Sequence, residues 1–338
     1  MFDALEIFTN VLPSNNCIGD EGGGNGTDNT GSHHIWVLNS DWHGCGQSGL
    51  QWNNTDWLFA IHNVFHDNSS NASFGVFGSG ISFYDPVGKT GYSPTTEDNK
   101  WCSATNSLCY HMVIAYNVGY HNFNIQSGTG NSDGEGIILD DFQHGQNACP
   151  GTGTCPYTGN VLVMGNIMYN NGGSGIENNS KFSGTTTLVN NTMYSNNWDT
   201  HNTGTFRGGI YSQDDLNTVS INNVSYAVLG AGILASNSPY LGQCNNAPPC
   251  AGLVWQTNLS FPGGDNNFDN TFNVYSTTGT NKNLDGSDPK FVNASTSTPN
   301  FALQGTSPAI GFGQAFDLFR ASGPVDAGAC PSSLTICP

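Results

Sequence analysis

The amino-acid sequence predicts an all-β solenoid, and three observations carry that reading. One short cassette recurs along most of the chain, alternating apolar runs precede it, and the composition is rich in turn formers and poor in charge. With 44 Gly among 338 residues and only 9% charged residues, helices are not expected. Apolar residues make up 36% and come in regular short runs, which excludes a disordered chain.

The cassette is clearest at 160–180, NVLVMGNIMYNNGGSGIENNS, where Asn-x-x-Tyr is followed closely by Gly-x-Gly-Ile. Laid in register, Asn39-x-x-Trp42 precedes QSGL at 47–50, Asn63-x-x-His66 precedes GSGI at 78–81, and Asn117-x-x-Tyr120 precedes GEGI at 134–137. After Asn166 come Asn191-x-x-Tyr194 before RGGI at 207–210, Asn223-x-x-Tyr226 before GAGI at 230–233, and Asn258-x-x-Phe261. The closest Asn-to-Asn steps are 24 and 25 residues, the longer ones 32, 35, 49 and 54. A period of this size with short β-runs and no helical periodicity implies stacked coils.

Each cassette is therefore one rung of a parallel β-helix, a single solenoid of about eight to ten coils with disulfide-braced loops. Alternation along the strands stacks Leu50, Ile81, Ile137, Ile176, Ile210 and Ile233 in the interior. The aromatic residues at Trp42, Tyr120, Tyr169, Tyr194, Tyr226 and Phe261 are expected to form a second interior stack. The recurring Asn suits a turn that takes left-handed dihedrals, its amide bonding the same residue one coil along. One domain spans 1–338, with coils over 1–310 and a tail over 311–338. MFDALEIFTN reads as the middle of a coil, and no signal peptide or membrane span is visible, so a leader and first coils are expected upstream.

The ten cysteines pair by proximity as Cys102/Cys109, Cys149/Cys155, Cys244/Cys250 and Cys330/Cys337, which leaves Cys17 with Cys45 on neighbouring coils. Disulfides in short loops point to an oxidising, extracellular compartment. No CxxC spacing supports a zinc site. The nine histidines show no metal-ligand spacing either, and SHH at 32–34 is read as structural.

The repeats resemble the right-handed parallel β-helix superfamily that includes the pectate lyases, over roughly residues 5–310. DPKFVN at 288–293, NFALQGTSPAIGFG at 300–313 and GPVDAGA at 323–329 are similar to the closing segment of many secreted members. The superfamily holds lyases, hydrolases, epimerases and adhesins, so the resemblance implies fold more than chemistry. NSDG at 131–134, QDD at 213–215 and HG at 144–145 are similar to polygalacturonase motifs, but the order differs and the later Arg-x-Lys is missing. That family's catalytic residues are not carried over.

Inserts at 85–109, 143–159 and 237–252 follow Gly-Ile strands, while the strands at Ile176 and Ile210 turn back at once. The inserts are expected to wall a groove whose floor is formed by those strands. Three residues past each Ile come Asn53, Tyr84, Asp140, Asn179, Gln213 and Ser236, and four past come Asn54, Asp85, Asp141, Ser180, Asp214 and Asn237. Lys181 and Asp215 follow one residue later.

Three chemistries fit this floor. Asp133, Glu135, Asp141, Asp214 and Asp215 are hard oxygen donors for Ca²⁺. With Lys181 as proton-abstracting base and Asp140, Glu177 and His144 beside it, the site would be a lyase of uronate polysaccharides. A carboxylate pair on the same groove would instead hydrolyse glycosides. The third reading is punctuation, in which Asp and Asn end strands of a non-enzymatic surface or filament protein. Tyr84, Trp101, Tyr211 and Gln213 are candidate sugar contacts. The net charge of −18 excludes a basic groove for nucleic acid and disfavours a polyanionic glycan unless cations intervene. A polysaccharide partner, no nucleic acid and no membrane are expected.

Overall fold

The computed structural model describes residues 1–8, 16–20, 32–69, 78–88, 92–102, 108–124, 133–146, 155–179, 182–198, 208–213, 217–228, 240–243, 254–262, 282–295, 297–316 and 325–330. The chain is a parallel β-helix. Among these residues its coils contribute eight strands to a first sheet, Phe2–Asp3 through Val254–Gln256, and nine to a second, Glu6–Phe8 through Leu284–Asp285. Seven more, Ile18–Asp20 through Tyr240–Gln243, form a third. All pairing within the three sheets is parallel, each strand bonding its counterpart one coil away; one complete rung is Asn160–Met164, Ile167–Tyr169 and Ile176–Asn179.

The interior follows the pleat. Leu50, Ile81, Ile137, Ile176 and Ile210 are register partners on successive strands of the third sheet and are fully buried. The register partner of Ile210 on the next strand is Tyr240, and Ile233 lies outside the described residues. Ser236 and Asn237 likewise lie outside the described residues.

The cassette Asn works as expected in one respect and differently in another. Asn63, Asn117, Asn166, Asn191, Asn223, Asn258 and Asn283 form a buried ladder. In it each backbone N–H and each Nδ2 donates to the next Asn Oδ1 at 2.9–3.1 Å. The left-handed residue, however, is the one before the ladder: His62, Tyr116, Gly165, Asn190, Asn222 and Thr257, with φ between 53° and 64°. Asn39 belongs to that set, with φ 47°, and Ser40 takes the ladder position, its N–H donating to Asn63 Oδ1 at 3.1 Å. The first cassette is thus one residue out of register, and Trp42 pairs with Phe65 in the core.

A second ladder, Asn68, Asn122, Asn171 and Asn196, runs along the next corner with Nδ2-to-Oδ1 distances of 2.9–3.0 Å. Its signal in the sequence is a second Asn five residues after the first, an Asn-x₄-Asn spacing not exploited above.

The aromatic stack is on the outside. Alternation starting from a buried Asn puts the third residue after it outward, so Tyr120, Tyr169, Tyr194, Tyr226 and Phe261 line the outer face of the second sheet. Ring centroids lie 5.0–5.1 Å apart for Tyr120–Tyr169, Tyr194–Tyr226 and Tyr226–Phe261. The chain leaves the coils after Leu284–Asp285, earlier than residue 310. The antiparallel pair Phe291–Asn293 and Asn300–Leu303 then packs Phe291 and Phe301 on that face with Ile167, Tyr194, Val224 and Leu259.

Cys17–Cys45 and Cys102–Cys109 are disulfides, with Cα atoms 5.4 and 4.0 Å apart. Cys155 and Cys330 are also disulfide-bonded, and the expected partners Cys149 and Cys337, like Cys244 and Cys250, lie outside the described residues. Among the described residues no helix is long and apolar enough to cross a membrane.

Candidate functional site

The acidic residues of the third sheet divide by their place in the coil. The position four past each Ile is left-handed, with φ 50° at Asn54, 47° at Asp85 and 51° at Asp141. Asn and Asp tolerate that region better than other side chains, and this is why they recur there. Asp141 is fully buried, and its two carboxylate oxygens accept the backbone N–H groups of Gly145 and Gln146, both at 2.6 Å. It closes the turn that leaves the strand. His144 sits in the same turn, almost sealed from solvent, with Nε2 2.9 Å from Pro86 O and Nδ1 3.8 Å from Asp85 Oδ1. Its ring ties two coils together at the corner and does not face an open groove.

The position three past each Ile points outward. Tyr84, Asp140 and Asn179 are register neighbours on three successive coils, all partly exposed. Asn179 Nδ2 and Gln146 Nε2 donate to Asp140 Oδ1 at 3.3 and 3.4 Å, long bonds that leave the carboxyl weakly held. Asp140 is pushed up to about 7, first by burial and then by the charges of Asp133, Asp141 and Asp85.

Glu177 occupies the outward position one pleat earlier, with Ile138 and Tyr211 as its register partners, and it is buried. Glu135, just ahead of the strand Ile137–Asp140, is buried too, and Ser79 Oγ donates to its Oε2 at 2.9 Å. Burial drives both carboxyls well above the ordinary glutamate range. For Glu135 the Asp133 charge adds to burial, and for Glu177 the charges of Glu135 and Asp140 do. Two of their oxygens, Glu135 Oε1 and Glu177 Oε2, are buried and receive no hydrogen bond from a donor among the described residues. Gly173 makes room for this pair, because a Cβ there would collide with Glu135 Oε1. Two facing carboxyls without a donor between them share a proton or take up a cation.

Asp133, Glu135, Asp140 and Glu177 are thus brought together electrostatically on the third sheet, with Tyr84 beside them. Tyr211 is adjacent to Glu177 but buried, so its ring is not open to stack on a sugar. Trp101 lies elsewhere: it ends the short 3₁₀ turn Asp98–Trp101 and packs on the outer face of the first sheet with Trp57, Phe59 and Tyr110. Buried Asp98 docks that turn, accepting from Trp36 Nε1 at 3.2 Å with His34 Nδ1 2.6 Å away. The described part of the 85–109 insert therefore folds back over the first sheet instead of walling the third. Tyr157, from the next insert, turns into the core and donates to Asp56 Oδ1 at 2.7 Å. Lys181, Asp214, Asp215 and the side chain of Gln213 lie outside the described residues.

Sequence reasoning missed a second group. Asp41, His43 and His66, on the outer face of the second sheet, place their ligating atoms within 4.8 Å of one another. The histidines show no metal-ligand spacing in the sequence because these two rings come from paired strands one coil apart and no local motif links them.

No family model and no curated protein matches the chain. Among solved structures it is similar to the crystal structure of pectate lyase Pel9A, at 17% identity and a TM-score of 0.40, over 88% of this chain and 66% of that one. The chain thus spans just under two thirds of that protein's length.

Proposed function

We propose that the protein is a secreted polysaccharide-degrading enzyme that cleaves a uronate-containing chain by β-elimination on the outer face of the third sheet. The observation that supports this is the group Asp133, Glu135, Asp140 and Glu177. Glu135, Asp140 and Glu177 are held close enough to one another and to the Asp133 charge to resist ionisation, on a face where Tyr84 offers a half-buried ring. Such a group is poised for a cation. The donors are all hard oxygens, and two buried ones receive no hydrogen bond among the described residues, which fits Ca²⁺. Asp141 is left out of the proposed ligand set, since each of its oxygens already accepts a backbone amide.

When bound, calcium would supply the positive charge that draws in a uronate carboxylate and acidifies the adjacent C–H. The net charge of −18 makes that help necessary. Lys181, two residues beyond the strand Ile176–Asn179, is assigned the role of base, its neutral amine taking the proton as the glycosidic C–O bond breaks. Disulfides on several coils and loops agree with secretion into an oxidising medium.

One observation favours a second reading. With its pKa raised to about 7, Asp140 is largely protonated in mildly acidic medium and could serve as general acid of a glycoside hydrolase. A panel of uronate-containing and neutral polysaccharides, incubated with calcium or with chelator, separates the two. Unsaturated, ultraviolet-absorbing products that vanish with chelator support the lyase. New reducing ends without unsaturation support the hydrolase, and neither product on any substrate overturns both.

A further inference from the structure

We propose that Asp41, His43 and His66 form a transition-metal site on the outer face of the second sheet, which takes Zn²⁺ as a clip between neighbouring coils. The three residues come from the strands Asp41–His43 and Val64–His66, paired so that His43 and His66 are direct register partners. Asp41 and His43 lie two residues apart and so share the outward face. The imidazoles stack at 4.7 Å with planes 6° apart.

The donor arrangement is that of a ligand set. Asp67 Oδ2 lies 2.6 Å from His66 Nδ1, which fixes that nitrogen as the N–H and turns the Nε2 lone pair outward. A carboxylate behind a ligating imidazole is the usual outer shell of a zinc histidine. His66 Nε2 faces Asp41 Oδ1 at 3.2 Å, a solvent-sealed oxygen outside hydrogen-bonding geometry. Two ligands on a tetrahedral ion with bonds of about 2.0–2.2 Å stand roughly 3.3–3.5 Å apart. Glu6 Oε1, on the preceding coil, lies 3.5 Å from His43 Nε2 and offers a fourth ligand. Rotation of the His43 ring out of the stack brings its nitrogen toward the ion, which then joins three coils.

The site is open as well as built. The Asp41 and Glu6 side chains are 42% and 69% exposed, so an ion enters without opening the fold. Farther along the same face, Phe291 and Phe301 cover Tyr194, and Phe301 also meets Tyr169. Mixed imidazole and carboxylate donors select Zn²⁺ over Ca²⁺, which prefers oxygen alone. That chemistry separates this site from the acids of the third sheet.

The test titrates untagged, chelator-stripped protein with Zn²⁺ by calorimetry in excess Ca²⁺, alongside thermal unfolding. One zinc per chain and a raised unfolding midpoint are expected. His66→Phe keeps the stack between His43 and Tyr120 but removes the lone pair, and should abolish both effects with an unchanged circular dichroism spectrum. His43→Ala should do the same, Asp67→Asn should weaken binding about 10–100-fold, and Asp140→Asn should leave it unaltered. Co²⁺ in place of zinc should give the visible bands of a four-coordinate site. Failure of the wild type to bind zinc overturns the proposal and leaves a protonated His–carboxylate stack. Zinc binding that survives His66→Phe overturns it too, by placing the ion elsewhere.

Discussion

Replacing Asn166 by Ala tests what holds the coils in register. The substitution removes four hydrogen bonds: Asn117 N–H and Nδ2 to Asn166 Oδ1, and Asn166 Nδ2 to Ile114 O and to Asn191 Oδ1. Each is worth about 0.5–1.5 kcal/mol net, and stranding the buried Asn117 N–H costs about 1–3 kcal/mol. The expected destabilisation is about 3–6 kcal/mol, a large part of the ~5–15 kcal/mol that holds an ordinary domain together. The matched control is Asn39→Gly. Asn39 opens the same cassette in the sequence but sits at the left-handed position with φ 47°, which Gly adopts freely, so the change should stay within ~0.5 kcal/mol. Urea unfolding followed by circular dichroism reads both, compared at equal slope because long repeats need not unfold in one step. If Asn166→Ala costs less than ~1 kcal/mol, or no more than Asn39→Gly, the ladder does not hold the coils and the reasoning fails.

Three further outcomes are expected. In chelator, the fold should lose stability as pH rises, because folded Asp140, raised from 3.8 to about 7, and the buried Glu135 and Glu177, raised well above the ordinary glutamate range, all hold their protons more tightly than the unfolded chain does. Asp140→Asn should flatten that slope and be the more stable protein at alkaline pH; a slope identical to wild type refutes the assignment. The double variant Cys17→Ser/Cys45→Ser opens a loop of 28 residues and should cost about 3–4 kcal/mol, seen as a lowered urea midpoint; an unchanged midpoint refutes the brace. Once a substrate is found, Lys181→Ala should lower turnover by about 10²–10⁴ with the unfolding midpoint unchanged, and full activity would remove Lys181 from the chemistry.

Much of the fold was legible because a solenoid repeats one local decision. The Gly-Ile strands fixed the register of the third sheet correctly from Leu50 to Ile210. Where the pattern had a single-residue ambiguity, the reading slipped. The cassette spacing points to Asn39 as the first ladder residue, and the pairing of Asp41–His43 with Val64–His66 gives that place to Ser40 instead. The same slip of parity put the tyrosines inside. Counting outward from a ladder Asn known to be buried would have placed them on the surface, but burial of an Asn is not visible until its hydrogen-bond partners are.

The site was legible only as far as position within the coil could be assigned. Asp140 and Asp141 are neighbours of the same type in one strand end, yet the pleat turns the first outward and the left-handed turn commits the second to backbone amides. The sequence places both on the groove floor, and the structure leaves only Asp140 partly exposed there. Glu135 and Glu177 show the complementary case, since residues 42 apart in the chain meet because one coil carries a long insert and the glycine between them keeps no side chain. His43 and His66 meet at a distance of one coil, and the partner that makes a ligand of His66 is its own neighbour Asp67. In a parallel helix the chemistry of a side chain is set by its rung and its parity. A motif search along the chain recovers the rungs; it cannot recover which side chains face one another across them.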